Sequence, residues 1–154
     1  MKTNDSVKIV ARNKKAKFDF FLDDFYEAGL VLKGSEIKSI RAGQVSLKEG
    51  YIRVEEEEAW LLDVHIAPYH EANIFNHDPK RPRKLLLHKR EIYRLHDKVR
   101  QRGYSVIPTQ MYLKRGIAKV EIAVGRGKKQ HDKRQTIAKR DAEREMRRTE
   151  RRRE

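Results

Sequence analysis

Alternating apolar and polar residues predict half-buried β-strands in three stretches of the chain, residues 51–55, 60–67 and 118–124. In the second stretch, the side chains expected to face the core are Trp60, Leu62, Val64 and Ile66. In the third they are Ala118, Val120, Ile122 and Val124, with Lys119 and Glu121 facing outward. The acidic run 55–58 and the tripeptide 114–116 are predicted to be turns, the second of which joins strands at 104–113 and 117–124.

Two other stretches have the residue spacing of short helices. Residues 36–41 follow Ser35, a residue type that caps helices, and precede Gly43, a residue type that ends them. Residues 88–102 place Ile92, Leu95 and Val99 on one face and stop at Gly103. The stretch 68–83 holds three of the four prolines, so it is predicted to be irregular.

The order of these elements favours a mainly β fold. Five or more antiparallel strands are expected, with no alternation of parallel strands and crossover helices. We therefore predict a small antiparallel β-barrel of the OB type over residues 1–124, with two or three short helices. Closure of such a barrel removes exposed strand edges and leaves strand faces and loops for nucleic acid. An α+β sandwich fits the same pattern and stays open as an alternative.

The distribution of charge divides the chain into two parts. The 154 residues include 37 Lys and Arg against 23 Asp and Glu, a formal net charge of +14. Residues 125–154 contain thirteen Lys and Arg and six Asp and Glu, so this tail carries half of the net charge. Such a positive field attracts polyanions. Because the tail has few large apolar side chains, we predict that it is disordered when free and becomes helical on its partner.

Residues needed for several classes of chemistry are absent from the sequence. There is no cysteine, which excludes disulfides, thiol catalysis and thiolate zinc sites. The six histidines form no close i,i+3 or i,i+4 pair, and no glycine-rich phosphate loop is present. We therefore expect neither an enzyme nor a bound cofactor. A polar, basic N-terminus and the lack of a long apolar stretch predict a cytoplasmic protein with no membrane partner.

Five blocks carry a resemblance that composition does not. They read NKKAK at 13–17, EAGL at 27–30, LKGSEIKSIRAG at 32–43, RKLLLH at 83–88 and GKKQHDKR at 127–134. In this order and at these spacings the chain, from about residue 7 to residue 134, resembles the SsrA-binding protein (small protein B) family of bacteria. Each block alone is a weak signal, whereas the five together are specific.

The resemblance implies a non-catalytic RNA-binding adaptor of trans-translation. Such proteins have a barrel related to the OB fold and bind the tRNA-like domain of transfer-messenger RNA, which they deliver to stalled ribosomes. Nascent-chain tagging and ribosome release follow. The partners implied are transfer-messenger RNA and the 16S rRNA of the small subunit, with elongation factor Tu and alanyl-tRNA synthetase acting on the same RNA. A monomer is expected.

The candidate interface residues fall into a body set and a tail set. Structured RNA is recognised by basic side chains together with aromatic or polar groups, and the resemblance adds the roles of Asn13 and Glu27. The body set expected to contact transfer-messenger RNA is Asn13, Lys14, Lys15, Lys17, Glu27, Lys38, Arg41, Arg83 and Lys84. The tail set, implied to occupy the vacant decoding centre and the mRNA channel, is Gly127, Lys128, Lys129, His131, Asp132, Lys133 and Arg134.

Two other functions stay open at this point. A generic OB-type ribosomal or translation factor would bind rRNA without preference for a tRNA-shaped domain. An RNA-processing nuclease would place Asp23, Asp24 and Glu27 on a metal ion. Neighbouring acids of a strand point to opposite faces, however, which disfavours the nuclease.

Overall fold

The computed structural model describes residues 6–69 and 76–153. The strands in these residues are β1 (Val7–Arg12), β2 (Phe20–Leu30), β3 (Val45–Ser46), β4 (Tyr51–Val54), β5 (Ala59–Leu62), β6 (His65–Ile66), β7 (Arg83–Leu86), β8 (Tyr104–Lys114) and β9 (Ile117–Gly127). The helices are α1 (Lys14–Asp19), α2 (Gly34–Arg41), α3 (Lys89–Val99) and α4 (Gln130–Arg153). None of these helices is long and apolar enough to cross a membrane.

Seven of the strands form one antiparallel sheet, in the order β1-β8-β4-β5-β7-β2-β9. Strand β9 also pairs with β8 from Ile117 to Arg126, so six strands form a closed ring of pairings. Strand β1 pairs with residues 110–114 of β8, beyond the pairing of β4 at Val106. Strands β3 and β6 form a separate two-stranded sheet. The mainly β, antiparallel architecture predicted from the alternation is therefore confirmed.

The apolar core lies inside this ring, and it tests the predicted strand faces. The inward positions of β9 are as predicted, because Ala118, Val120, Ile122 and Val124 are all buried. In β5 the prediction is wrong by one residue: Ala59 and Leu61 are buried, whereas Trp60 and Leu62 are half-buried. The backbone of Asp63 has a φ of 56°, which interrupts the extended strand and shifts the alternation by one residue. After this break the predicted inward positions are correct again, since Val64 and Ile66 are buried.

The predicted turn between β8 and β9 and the predicted end of α2 agree with the structure. Strands β8 and β9 are joined at Arg115 and Gly116, both with positive φ, as a tight two-residue hairpin turn requires. Helix α2 ends before Gly43, whose φ is +74°. Helix α3 is shorter than predicted, and the chain after it reverses at Gly103, whose φ is +88°. Within the predicted irregular stretch, residues 68–69 and 76–82 contain no helix or strand, and residues 70–75 lie outside the described residues.

The cap predicted for α2 is wrong. Ser35 lies inside the helix, buried, with its hydroxyl 2.8 Å from Nδ1 of His77. The first turn is capped instead by Glu36, whose carboxylate accepts a hydrogen bond of 2.8 Å from the backbone N–H of Lys33. Ser35 is not the cap because the helix begins one residue before it, at Gly34, with Lys33 at the N-cap position.

Helix α1 was not predicted. Six residues between two strands are too few to show a helical repeat of apolar positions. Its N-cap is Asn13, whose side-chain oxygen accepts a hydrogen bond of 3.1 Å from the backbone N–H of Ala16. This short helix turns the chain from β1 into β2.

The basic tail forms helix α4 in this structure. The sheet extends further toward it than the predicted boundary at residue 124, because Gly125, Arg126 and Gly127 still pair with β2. From Ile137 onward the described side chains of α4 are exposed, and only its first turns contact the rest of the chain. The helix predicted from local propensity is therefore present, and disorder of the free tail stays a prediction.

Candidate nucleic-acid interface

One outward face of the seven-stranded sheet gathers several of the predicted body residues. The register of the pairing places outward-facing side chains of β2, β8, β9 and β7 side by side, because directly paired residues point to the same face of a sheet. These side chains are Phe25, Glu27, Gln110, Tyr112, Lys114, Lys119, Glu121, Lys84 and Leu86. We call this surface the outer face.

A basic cavity lies where helix α1 meets the outer face. Its volume is about 550 Å³, and exposed Arg12, Lys14 and Lys17 line it together with the Phe25 ring. Phe25 is 56% exposed although it is a large aromatic residue in a strand. A ring beside several cations suits a nucleotide, because the ring can stack on an unpaired base while the cations hold phosphates.

The acid of this cavity is held in place by neighbours. Glu121 accepts hydrogen bonds of 2.9 Å from both the Thr109 hydroxyl and the Gln110 amide. Two fixed donors orient its carboxylate, which remains half-exposed at the cavity. A carboxylate in this position can accept hydrogen bonds from the amino groups of a base.

Glu27 lies on the same outer face and is held by Tyr112. The Tyr112 hydroxyl donates to Oε2 of Glu27, and Nζ of Lys114 lies 3.6 Å from the same oxygen. Burial, and then the hydrogen bond to the Glu27 carboxylate, raise the pKa of Tyr112 well above its ordinary value. The hydroxyl therefore stays protonated at neutral pH and keeps donating, which leaves the second carboxylate oxygen of Glu27 for another donor.

Asn13 has a structural role in this conformation. Its side chain is only 5% exposed, and its amide group donates to the backbone oxygens of Pro108 at 2.9 Å and Leu47 at 3.2 Å. Together with the cap of α1, these bonds occupy the polar atoms of the side chain. Asn13 thus positions Lys14 and Lys17 over the cavity.

The expected phosphate contact of Arg83 does not agree with its position. The side chain is fully buried, and its Nε lies 2.6 Å from Oε2 of the equally buried Glu36. Its other nitrogens donate to backbone oxygens, among them that of Val64 at 2.6 Å. Arg83 points inward because it alternates with Lys84 in β7, so we leave it out of the interface.

Arg81 completes this buried ion pair, since its Nη2 donates to the other oxygen of Glu36. Burial by itself would raise the pKa of Glu36, but hydrogen bonds from Arg81, the Lys33 backbone and Arg83 outweigh it and hold the pKa below its ordinary value. The cluster ties α2 to β7 and to the loop before β7.

The remaining predicted body residues are exposed or half-exposed but less tightly grouped. Lys84 is on the outer face, 3.6 Å from Glu58, and Lys15 on α1 lies 3.5 Å from Glu49. Lys38 and Arg41 are exposed on α2, and Nζ of Lys38 lies 5.4 Å from the centre of the Tyr69 ring. No described contact joins Lys38 or Arg41 to the outer face.

Two predicted tail residues contact the body at the start of α4. Nζ of Lys128 donates to the backbone oxygen of Lys17 at 3.1 Å and to the hydroxyl of Thr136 at 2.8 Å. Lys133 forms an ion pair of 3.3 Å with Asp19, and both groups are less than one-third exposed. These contacts fix the first turn of α4 against α1.

The other tail residues are mostly exposed, although Gly127 still pairs with Phe20 of β2. Lys129, His131 and Arg134 are exposed, while Asp132 caps the start of α4 by accepting from the backbone N–H of Lys129 at 3.3 Å. Gly127 has open space where a side chain would be. The tail therefore presents a row of cations and one imidazole to the outside.

Seven residues of the cavity and of the Glu27 cluster were not predicted as site residues, namely Arg12, Phe25, Thr109, Gln110, Tyr112, Lys114 and Glu121. The alternation in β9 did place Glu121 on the outward side, which was a signal for its exposure. For Phe25 no such signal existed, because the register of β2 shifts between Asp23 and Phe25, where Asp24 has a φ of 48°. Tyr112 and Glu27 are 85 residues apart in the chain, so no local pattern in the sequence could pair them.

Comparison with known proteins identifies relatives of this chain. A family model described as SmpB protein matches residues 10–152. The SsrA-binding protein of Halothermothrix orenii is 55% identical over 144 residues, which cover 94% of this chain and 93% of that protein. The SsrA-binding protein of Roseiflexus sp. (strain RS-1) is 56% identical over 146 residues, with coverages of 94% and 92%.

A solved structure gives the same result for the fold. It is described as "tmRNA-SmpB: a journey to the center of the bacterial ribosome", and one of its chains matches with a TM-score of 0.66 at 45% identity. The match covers 77% of this chain and 84% of that chain. Sequence and structure therefore show that the chain belongs to the SmpB family of SsrA-binding proteins.

Proposed function

We propose that the protein is an RNA-binding adaptor of trans-translation. The barrel binds the tRNA-like domain of transfer-messenger RNA, and the tail enters the vacant decoding centre and mRNA channel of a stalled ribosome. Tagging of the nascent chain and release of the ribosome follow. The observation that carries this proposal is the separation of two basic surfaces, the cavity on the outer face and the exposed cations of α4.

The chemistry of the two surfaces supports different partners. The body cavity combines cations, a ring and an oriented carboxylate, which suits the phosphates and unstacked bases of a folded RNA. The tail offers mainly cations on a narrow helix, which suits a channel lined by phosphates. We place the closed ring of strands in the OB-like class, whose strand faces and loops bind nucleic acid.

The further partners and the cellular location are inferred from the proposed RNA partner. Elongation factor Tu and alanyl-tRNA synthetase act on the same RNA, the protein itself performs no catalytic step, and it works as a monomer in the cytoplasm, where ribosomes are found. The exposed part of α4 buries almost no apolar surface, which supports a tail that is disordered when free and becomes helical on the ribosome.

The proposal is tested by comparing two RNAs across a salt titration. The full chain is titrated against a transcript of the tRNA-like domain and against ordinary tRNA-Ala. We expect a preference for the tRNA-like transcript that persists at high salt, because shape and base contacts are less sensitive to salt than phosphate contacts. Equal affinities for the two RNAs that fall in parallel as the salt concentration rises would instead indicate a generic rRNA-binding factor.

A narrower prediction concerns Lys14 and Lys17, which line the cavity. Replacing both by alanine is expected to lower the slope of log affinity against log salt by about 1.4–1.8 for the tRNA-like transcript, since each lost phosphate contact removes about 0.7–0.9. The matched control is the Lys8→Ala/Lys89→Ala double variant, which removes the same charge from exposed positions outside the cavity. Equal slopes for the two double variants would exclude the cavity from the interface.

A further inference from the structure

We propose that the cavity on the outer face selects an unpaired guanine base, and that the carboxylate of Glu121 makes this selection. The inference rests on the proposed function and deepens it, because it names the base that the barrel reads in a folded RNA. The other residues of the cavity then have separate tasks. Phe25 stacks on the base, and the cations of the cavity hold the neighbouring phosphates.

A carboxylate among cations is an unexpected group in a cavity for RNA. Of the residues that the structure describes, Glu121 is the one acid that lines the cavity, together with exposed Arg12, Lys14 and Lys17. Within residues 6–69 and 76–153 it forms no ion pair. A phosphate diester has no hydrogen-bond donor and is repelled by a negative charge. Glu121 therefore suits the edge of a base, where donors are available.

The two carboxylate oxygens of Glu121 are held in the same way. The Thr109 hydroxyl donates to Oε1 and the Gln110 side-chain amide donates to Oε2, both at 2.9 Å. A carboxylate oxygen can accept two hydrogen bonds, so each oxygen keeps one position for a further donor. The side chain is half-exposed at the cavity. Glu121 thus offers two adjacent acceptors in a fixed orientation and no donor.

Among the four RNA bases, guanine is the one that matches two adjacent acceptors. Its Watson–Crick edge has two neighbouring donors, the ring N1–H and the N2 amino group. Adenine and cytosine have a ring nitrogen acceptor beside the amino group, and uracil has a single N–H between two carbonyls. Each of these three bases would place an acceptor against a carboxylate oxygen, which is repulsive. Because this edge is free only in an unpaired base, the guanine comes from a loop or a bulge.

The exposed ring of Phe25 supplies affinity for the same base. The register of β2 and β9 pairs Glu27 with Glu121, so Phe25, two residues before Glu27, is the diagonal neighbour of Glu121 on one face of the sheet. The ring is 56% exposed and lines the cavity. Stacking on an aromatic ring tolerates every base, because every base has a π-face. The choice of guanine therefore depends on Glu121.

The first test compares guanosine and inosine 5′-monophosphates (GMP and IMP), whose bases differ only in the N2 amino group. Each nucleotide is titrated into the full chain, and binding is followed by the NMR signals of the Phe25 ring. We expect GMP to bind about 5- to 150-fold more tightly, the discrimination typical of one bidentate base contact. Glu121→Gln should abolish this preference, because an amide replaces one acceptor with a donor. The matched control is Glu57→Gln, which removes the same charge from an exposed position outside the cavity and should keep the preference.

The second test places the guanine in the folded RNA. A series of tRNA-like transcripts is synthesised, each with one unpaired guanosine replaced by inosine. At one position we expect the wild type to lose about 5- to 150-fold in affinity and Glu121→Gln to lose none. Phe25→Leu removes stacking, so it is expected to weaken binding of the unmodified and the inosine transcript by the same factor.

The outcomes separate this inference from the proposed function. Equal affinities of the wild type for GMP and IMP, or no binding of GMP, would overturn the inference whichever RNA the protein serves. An inosine effect that persists in Glu121→Gln would also overturn it, because the guanine would then be read by another residue. Failure of the wild type to prefer the tRNA-like transcript over tRNA-Ala would count against the proposed function alone. Circular dichroism melting of each variant verifies that the barrel is folded.

Discussion

Replacement of Glu36 by alanine is expected to lower the free energy of unfolding by about 3–5 kcal/mol. The substitution leaves the guanidinium of Arg83 buried without its carboxylate partner, and it also removes the cap of α2. Loss of a partner from a buried pair costs far more than the pair contributes as a whole, because the remaining charge is desolvated and uncompensated. Urea unfolding followed by circular dichroism measures the effect.

The matched control is Glu49→Ala, which breaks an ion pair with Lys15 in which both side chains are exposed by about half or more. Such a pair contributes at most about 1 kcal/mol, so this variant is expected to unfold close to the wild type. A loss no larger in Glu36→Ala than in Glu49→Ala would show that the buried cluster does not stabilise the barrel.

The stabilisation by Glu36 is expected to depend on pH in a defined direction. Its pKa in the folded protein lies below its ordinary value, so the folded state favours the ionised form. The contribution is therefore complete above the unfolded-state pKa of about 4.3 and is lost as pH falls through the lower folded-state pKa. The difference in stability between the wild type and Glu36→Ala should be constant from pH 7 to about pH 5.5 and shrink below about pH 4. A difference that grew on acidification would contradict the lowered pKa.

Deletion of residues 130–154 is expected to abolish tagging of nascent chains while leaving binding to the tRNA-like transcript largely intact. The deletion removes α4 but none of the residues that line the cavity on the outer face. Tagging is measured by translation in vitro of a message that lacks a stop codon, and RNA binding is measured separately by filter retention. A parallel loss of both activities would contradict the division between body and tail.

A second variant separates the helix of the tail from its charge. Ala138→Pro/Ala142→Pro keeps every charged residue, but each proline inside a helix costs about 3 kcal/mol of helix stability. Both alanines are exposed, so no packing against the barrel is lost. If the helical form is required on the ribosome, this variant should fail in tagging as the deletion does. Normal tagging would show that the charge alone suffices.

The predictions from sequence were most accurate where structure depends on neighbouring residues. The alternation in β9, the turn at Arg115 and Gly116, and the stop of α2 before Gly43 all reflect local backbone preferences. The parity of β5 was wrong because the positive φ of Asp63 shifts the alternation, and sequence alone does not show where a strand breaks. Helix α1 was missed because its six residues between two strands are too few to show a helical repeat of apolar positions.

In the candidate interface, too, the residue type could be read from the sequence, whereas burial depended on the tertiary structure. Lys14, Lys17, Glu27 and Lys84 were identified from sequence and lie exposed or half-exposed on the barrel. Arg83 was identified by the same reasoning but lies in the core, because the register of β7 sends it inward toward a carboxylate 47 residues earlier in the chain. A basic residue type indicates affinity for phosphate, whereas burial decides whether the charge is available.

The sequence by itself determined the strand-rich character of the chain, the separation of a basic tail, the family resemblance and most of the basic residues at the surface. These features depend on composition and on short-range periodicity, which the linear sequence contains directly. Only the tertiary structure decided that Glu36 and Arg83 form a buried pair, that Phe25 joins Lys14 and Lys17 around one cavity, and that Thr109 and Gln110 hold Glu121 in the same cavity. The physical reason is that closure of the sheet sets the register of every strand at once, and register determines which side chains from distant parts of the chain meet.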